Sequence, residues 1–294
     1  MKKNKPFVQC NFLIVGLVRN CERTIEKNIK VIHNAFKKAK KVNWLIIESD
    51  SDDLTKEKLN LISHKYSLKI LNLGELRFKY PLRTQRIAYC RNQYVDKIRY
   101  DPMYKEVDYV VVADLDGVNH LINSQSVQKC WKVSVQWDAC FANQSSYYYD
   151  IWALRHSLWS PNDCFKQHKD LVEEGFDPFY SKQISLYSRM IKIPQNAKPI
   201  KVTSAFGGLG IYKKELFEHS EYCGLDKNGD EVCEHVLFHE KFIKTKNLFI
   251  FPFLINSKHS EHTKERKPAI QFFIFLISRF FSFEKLKRLY YLFK

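Results

Sequence analysis

Asp114 and Asp116 stand one residue apart, directly after the apolar run Tyr109-Val110-Val111-Val112-Ala113. Two carboxylates at that spacing can both reach one hard divalent cation, Mg²⁺ or Mn²⁺, which takes oxygen ligands and shares them with substrate phosphates. The triplet alone is unspecific, because the same residues suit a solvated turn. Its place at the end of a buried strand makes it a site candidate, and Gly117 leaves room for a phosphate to approach the backbone. Upstream, Arg77, Arg83, Arg86 and Arg91 fall close together. Their guanidinium forks match pairs of phosphate oxygens, so Arg86 and Arg91 are candidates for a diphosphate, with Asn92 adding a polar group. A solvated basic helix face is the competing reading.

Downstream, Phe206-Gly207-Gly208-Leu209-Gly210-Ile211-Tyr212 runs into Lys213 and Lys214. Gly207 and Gly208 could cradle a ligand through backbone amides; a tight turn between strand and helix is the alternative. The segment is neither a Walker loop nor a Gly-x-Gly-x-x-Gly fingerprint, which takes support from kinase and dehydrogenase readings. Cys233-Glu234-His235-Val236 with His239 lacks the His-Glu-x-x-His order of a zincin. Glu234 can instead serve as a general base toward an acceptor hydroxyl, which needs only a positioned carboxylate of suitable pKa. In Lys258-His259-Ser260-Glu261-His262, two imidazoles are available to a metal or a phosphate.

These residues need a scaffold, and the apolar pattern supplies one. Phe12 to Val18 reads as a parallel strand buried on both faces, followed by a helix from Thr24 to Ala39. Trp44 to Glu48 repeats the strand signal, and Ser49 to Asp53 is a turn and cap cluster before a helix through Leu61. A strand at Leu68 to Leu73, a helix from Thr84 to Arg99 and a strand at Val107 to Ala113 complete an alternating βα order. Ligands of open α/β sheets gather at the carboxyl ends of strands, where Asp114 falls. The second half is less regular, with strands expected at Ala139 to Ala142 and Ile200 to Thr203. An irregular stretch from Trp159 to Ile193 is expected to cover the acceptor side. There is no internal repeat, so the economical parse is one domain over 1–265 and a tail over 266–294.

With 294 residues and 45% hydrophobic content, the chain can bury a full core. Its formal charge of +16 implies an anionic partner. The eight cysteines contain no Cys-x-x-Cys pair and read as reduced core thiols. The start shows no signal peptide, which points to the cytoplasm. The longest apolar run falls far short of the roughly 20 residues that span a bilayer. The tail carries seven basic residues against Glu284 alone. As a helix it puts Phe283, Leu286, Leu289, Tyr290 and Phe293 on one side, which suits the interface of an anionic membrane, within reach of a lipid-linked acceptor. A helix that covers the core, or a dimer contact, is the competing reading.

Taken in order, these segments resemble the GT-A glycosyltransferases, and within them the capsule-associated α-mannosyltransferase-like family and its bacterial relatives. The likeness runs over about residues 10–262. It rests on Glu48-Ser49-Asp50-Ser51-Asp52-Asp53, Arg86-Ile87-Ala88-Tyr89-Cys90-Arg91-Asn92, Tyr149-Asp150-Ile151-Trp152-Ala153-Leu154-Arg155 and Cys233-Glu234-His235-Val236. The resemblance implies an α/β fold, a Rossmann-like mixed sheet flanked by helices, here with a C-terminal amphipathic helical tail. It implies transfer of a sugar from a nucleotide-diphosphate-sugar donor to a glycan or lipid-linked acceptor in surface polysaccharide biosynthesis. The donor would meet Glu48, Arg86, Arg91, Asn92, Asp114, Gly207, Gly208 and Lys213. The cation, Mn²⁺ or Mg²⁺, would sit on Asp114, Asp116 and His259, with His262 as the alternative third ligand. Glu234 takes the catalytic position, although the residue after it is His235 where the family pattern has Asp. Tyr149, Asp150, Trp152 and Arg155 would line the sugar or acceptor pocket, aromatic faces packing on sugar rings while Asp and Arg read hydroxyls. Whether the reaction inverts or retains depends on where Glu234 stands.

Two other classes compete. A metal-dependent nucleotidyltransferase or phosphodiesterase would use the same Asp pair. A non-catalytic polyanion-binding module would use the charge and the 22 Phe, 16 Tyr and 5 Trp. The sequence has no nucleic-acid motif, so nucleic acid is not an expected partner.

Overall fold

The computed structural model describes residues 4–258. The tail from 266 to 294, together with His259 and His262, lies outside the described residues. The chain forms an α/β domain around one eight-stranded mixed sheet. In chain order come β1 (Asn11–Val18), α1 (Ile25–Phe36), β2 (Lys41–Glu48), α2 (Thr55–Ser63), β3 (Leu68–Asn72), α3 (Arg83–Tyr100), β4 (Tyr109–Ala113) and α4 (Ser124–Lys129). They are followed by β5 (Ala139–Gln144), α5 (Cys164–Glu173), α6 (Pro178–Ser185), β6 (Ile200–Val202), β7 (Leu209–Lys213), α7 (Glu234–Glu240) and β8 (Leu248–Ser257).

The strands lie side by side as β3-β2-β1-β4-β7-β5-β8-β6. The first four are parallel, as apolar runs joined by helical crossovers must be. β7 is antiparallel to both its neighbours, β4 and β5, and so stitches the parallel half to the rest. Successive strand residues point to opposite faces, and two cores result. Phe12, Ile14, Trp44, Ile46 and Val111 pack under α1, α2 and α4. Leu13, Val15, Leu45, Ile47, Val110 and Val112 pack under α3 and α7. Ile25, Ile29, Ile32 and Phe36 form the buried stripe of α1, at the spacing that puts them on one helix face. Each such buried side chain contributes roughly 1.5–3 kcal/mol.

Two expectations change. The stretch from Trp159 to Ile193 is not irregular throughout, since it holds α5 and α6. Both begin with an N-cap aspartate whose side chain accepts backbone amides: Asp163 from Phe165 and Lys166, and Asp177 from Phe179. The glycine-rich segment is a loop only as far as Gly208, because Leu209–Lys213 is a central strand. All eight cysteines are free thiols, and only Cys223 is exposed. No helix among the described residues is long and apolar enough to cross a membrane.

Candidate functional site

The site builds at the carboxyl end of β4. Gly208 approaches from the start of β7, and its carbonyl accepts the Asp114 amide at 2.9 Å. Gly207 and Gly208 have φ of +67° and +84°, in the left-handed region that favours glycine. A Cβ on Gly208 would lie 2.8 Å from both Tyr149 Oη and Val118 Cγ1, so the close approach itself requires glycine.

Behind this contact runs a buried amide network. Asn119 Nδ2 donates to the carbonyls of Asp114 (2.8 Å) and Gly208 (2.9 Å). Asn256 Nδ2 donates to Asn119 Oδ1 (2.9 Å) and the Gly207 carbonyl (2.8 Å), and Gln144 Nε2 reaches Asn256 Oδ1 at 3.0 Å. From the other side, Asn28 Nδ2 donates to the Leu115 carbonyl at 2.6 Å. Buried amides satisfied this fully fix the backbone of the acidic triplet. The Gly207 amide is committed as well, donating to Asp150 Oδ2 at 2.8 Å. Gly207 and Asp150 therefore brace each other.

On the other side of Asp114 stands Arg91, carried on α3 and nearly buried, with 6% of its side chain exposed. Its Nε donates to Glu234 Oε1 at 2.9 Å, its NH1 to Tyr94 Oη at 3.3 Å, and its NH2 lies 3.9 Å from Asp114 Oδ1. The rings of Phe206 and Tyr222 lie 5.4 and 5.5 Å from the guanidinium. Glu234, at the first turn of α7, is thus ion-paired inside the protein. The remaining acids of the cluster crowd one another. Although 36% of the Asp114 side chain is open to solvent, thin hydration of its carboxyl and the negative charges of Asp116, Asp150 and Glu234 push its pKa up to about 8 against the pull of Arg91. Asp116 is exposed beside it, with Oδ1 accepting the Val118 amide at 3.2 Å.

This donor set fits a hard cation. Asp114 and Asp116 are neighbouring carboxylates, and Asp114 ionises only at a cost. Among the described residues no group of three or more His, Cys, Asp or Glu is arranged to cage a metal. Two carboxylates alone are the number an ion of the Mg²⁺ class takes from a protein when water and substrate phosphates complete its shell. The sign of the pH dependence follows. If Asp114 takes a cation, its proton must leave below about pH 8, so Mn²⁺ affinity is then expected to rise about tenfold per pH unit from pH 6 to 7 and level off above 8. Calorimetric titration across that range checks it, and flat affinity would contradict the raised pKa.

Other expected residues are placed differently. Both polar atoms of the Asn92 amide are used by the backbone of Tyr222, at 2.9 Å each, so Asn92 fastens the segment before α7 and does not face the cleft. Lys213 pairs with Tyr109 in the sheet register and lies at the opposite strand end from Asp114, its Nζ on Asp138 Oδ1 at 2.8 Å. That separation removes it from the donor side. Trp152 Nε1 and Arg155 NH2 both donate to Asp163 Oδ2, at 3.0 and 2.6 Å, and shape the wall near the start of α5. Arg86 NH1 donates to the Tyr80 carbonyl at 2.6 Å, and its Nε lies 3.8 Å from Asp50 Oδ2. Glu48 is buried at the end of β2, one oxygen accepting the Ser51 amide at 3.1 Å and the other 3.9 Å from Lys56 Nζ. Tyr149 reaches the cluster, and burial together with Asp114, Asp150 and Asp116 raises its pKa well above 10.0, so it stays a neutral phenol. The two imidazoles of α7 are interior groups. His239 bonds Ser204 and Tyr212 at 2.8 and 3.1 Å, with burial lowering its pKa to about 3, and His235 stacks on Phe206 at 3.9 Å.

No protein-family model matches the chain, and no curated protein does. Among solved structures, S. aureus TarS 1-349 aligns with a TM-score of 0.47 at 12% identity, covering 84% of this chain and 60% of that one. The same TarS fragment in complex with UDP-GlcNAc aligns at 0.47 and 12% identity over 91% and 64%. The mannosyltransferase PcManGT from Pyrobaculum calidifontis, in complex with GDP-Man and Mn²⁺, aligns at 0.47 and 13% identity over 92% and 62%. The chain spans about three fifths of the length of these structures.

Proposed function

We propose that the chain is a metal-dependent glycosyltransferase of the GT-A type, moving a sugar from a nucleotide-diphosphate-sugar donor to a glycan or lipid-linked acceptor in surface polysaccharide biosynthesis. The observation that carries this reading is the meeting, at one end of β4, of the Asp114 and Asp116 carboxylates with the buried Arg91–Glu234 pair. Asp114 and Asp116 would hold a Mn²⁺ or Mg²⁺, which when bound would offset the negative charge of a leaving nucleoside diphosphate. The chain's own part is preorganisation. Arg91, fixed between two rings in a poorly solvated place, offers a second cationic charge where negative charge develops. Glu48, wholly buried at the end of β2 with its second oxygen 3.9 Å from Lys56 Nζ, keeps its place on the donor side from the resemblance alone. Tyr149, a neutral phenol beside Asp114 and Asp116, and Asp150, which holds the Gly207 turn, belong to the sugar side.

Glu234 fills the catalytic position, as base toward the acceptor or as the anchor of Arg91. On this reading the catalytic domain covers 1–265, and the basic segment 266–294 follows it as a tail. The enzyme works in the cytoplasm, at the inner face of the membrane. Incubation with a panel of nucleotide sugars and Mn²⁺ tests the assignment. Release of a nucleoside diphosphate is expected from at least one donor. Pyrophosphate release would mean a nucleotidyltransferase, and no product with any donor or acceptor would leave a binding module.

A further inference from the structure

The loop from Gly74 to Arg83 joins β3 to α3 and leaves the sheet at the same end as Asp114. Its sequence, Gly-Glu-Leu-Arg-Phe-Lys-Tyr-Pro-Leu-Arg, interleaves apolar and basic residues. At its apex Phe78 is 81% exposed, with Leu82 38% exposed and Pro81 and Lys79 on the surface beside it. The loop is nonetheless braced. Asp50 Oδ1 accepts the amides of Leu76 and Arg77 at 2.9 and 3.0 Å, and the Tyr80 amide closes the turn onto the Leu76 carbonyl at 2.8 Å. Lys79 Nζ lies over the rings of Tyr80 and Tyr89, at 5.3 and 5.8 Å. The braced turn thus fixes Phe78 in a defined, solvent-facing place.

The charges around the apex say what covers it. Arg77, Lys79 and Arg83 face Glu75 as the one acid of the loop, and Arg77 is partly taken up by Asp50, 3.6 Å from its Nε. Arg83 opens α3, the helix end that disfavours a cation, and no acid lies in its first turn; the nearest compensation is Glu231, which caps the Thr84 amide at 3.2 Å. An apolar tip flanked in sequence by Arg77, Lys79 and Arg83 matches the interface of an anionic bilayer, where rings enter the acyl boundary and lysines and arginines meet the headgroups. A soluble polyanion would use the cations and leave Phe78 bare. We propose that the Gly74–Arg83 loop is a membrane-docking element that seats this end of the sheet on anionic lipid. The inference does not rest on sugar transfer, since it concerns surface and not site residues.

The test is co-sedimentation of the full chain with phosphatidylserine/phosphatidylcholine vesicles and with phosphatidylcholine alone. Wild type is expected to bind the anionic vesicles, with affinity falling as salt rises. Phe78→Asp should lower the partition coefficient about tenfold or more, and Lys79→Glu with Arg83→Glu by about fivefold per residue. Phe78→Ser, which adds no charge, should weaken binding in the same direction. Phe78 is on the surface and makes no bracing contact named above, so the unfolding temperatures of the two Phe78 variants should stay unchanged, which separates lost docking from lost fold. The proposal is overturned if wild type ignores anionic vesicles, or if both Phe78 variants bind them as wild type does. Equal binding of wild type and Phe78→Asp to vesicles, with competition by dextran sulfate, would show that the loop reads charge alone and would overturn it too.

Discussion

Asp114→Asn and Asp116→Ala should each reduce sugar transfer by on the order of 10³-fold or more, with the fold intact and with EDTA reproducing the loss in the wild type. The two carboxylates are the open side of the cleft, while the backbone beneath them is held by Asn119, Asn256 and Asn28 independently of their charge. Substitution should therefore remove function without loosening the scaffold. Asp114→Asn carries a second signature. The folded carboxyl has its pKa raised from 3.8 to about 8, so folding takes up a proton between those values. Wild-type stability should then decline as pH rises through that window, with the penalty complete above about pH 8. Asn cannot ionise, so the variant should melt higher than wild type at pH 8 without metal and lose the advantage near pH 4. Full activity of either variant in chelator would take the metal out of the reaction, and an unchanged melting profile would show that Asp114 is not charge-strained.

Glu234→Gln should lower turnover by about 10²- to 10⁴-fold while leaving donor affinity almost unchanged, if the carboxylate takes the acceptor proton in the transition state. The hydrogen bond that Oε1 already accepts from Arg91 Nε, at 2.9 Å, sets up a rival outcome. A residue that serves only to hold Arg91 would behave differently. Gln keeps an oxygen for that bond but removes the counter-charge, and an uncompensated buried partner typically costs about 3–5 kcal/mol, less where the hydrogen bond survives. The anchor role thus predicts a lower melting temperature and weaker donor binding with turnover at saturation largely kept. The two outcomes are separated by kcat, KM and thermal unfolding on one variant. Near-normal turnover would end the base assignment.

The parallel half of the sheet is legible in the apolar pattern alone, because β1, β2 and β4 are buried on both faces and must be apolar almost throughout. The other half hides for physical reasons. β7 carries Gly210 near its start, where a Cβ would meet the rings of Tyr212 and Phe141, so a packed strand reads as a flexible loop. α5 and α6 are short, with only Cys164, Ser181 and Ser185 fully buried; their N-cap aspartates Asp163 and Asp177 are a signal the sequence carries. Within the site, a carboxylate pair after an apolar run is a local pattern, and Asp114 and Asp116 can be read from it. That Arg91 and Glu234 form one ion pair is not local, since they stand 143 positions apart along the chain. Asn119, Gln144 and Asn256 escape a reading of the sequence because a buried amide has no periodic signature. Gln144 and Asn256 do stand out, however, as amides at the ends of largely apolar strands.

The place of β7 has a kinetic consequence. β4 and β5 are near in the chain but never pair; β4 ends at Ala113, and the strand that comes between them starts only at Leu209. Until Leu209–Lys213 has been synthesised, both neighbours keep an open row of backbone donors and acceptors, and the half-built sheet is two sticky edges waiting for one insert. Closure then needs contacts of long sequence separation, whose loop entropy is spent before they form, which makes this insertion a slow and aggregation-exposed moment in the life of the chain. The same event brings Gly208 onto Asp114, so the acidic triplet is not braced until the sheet has closed.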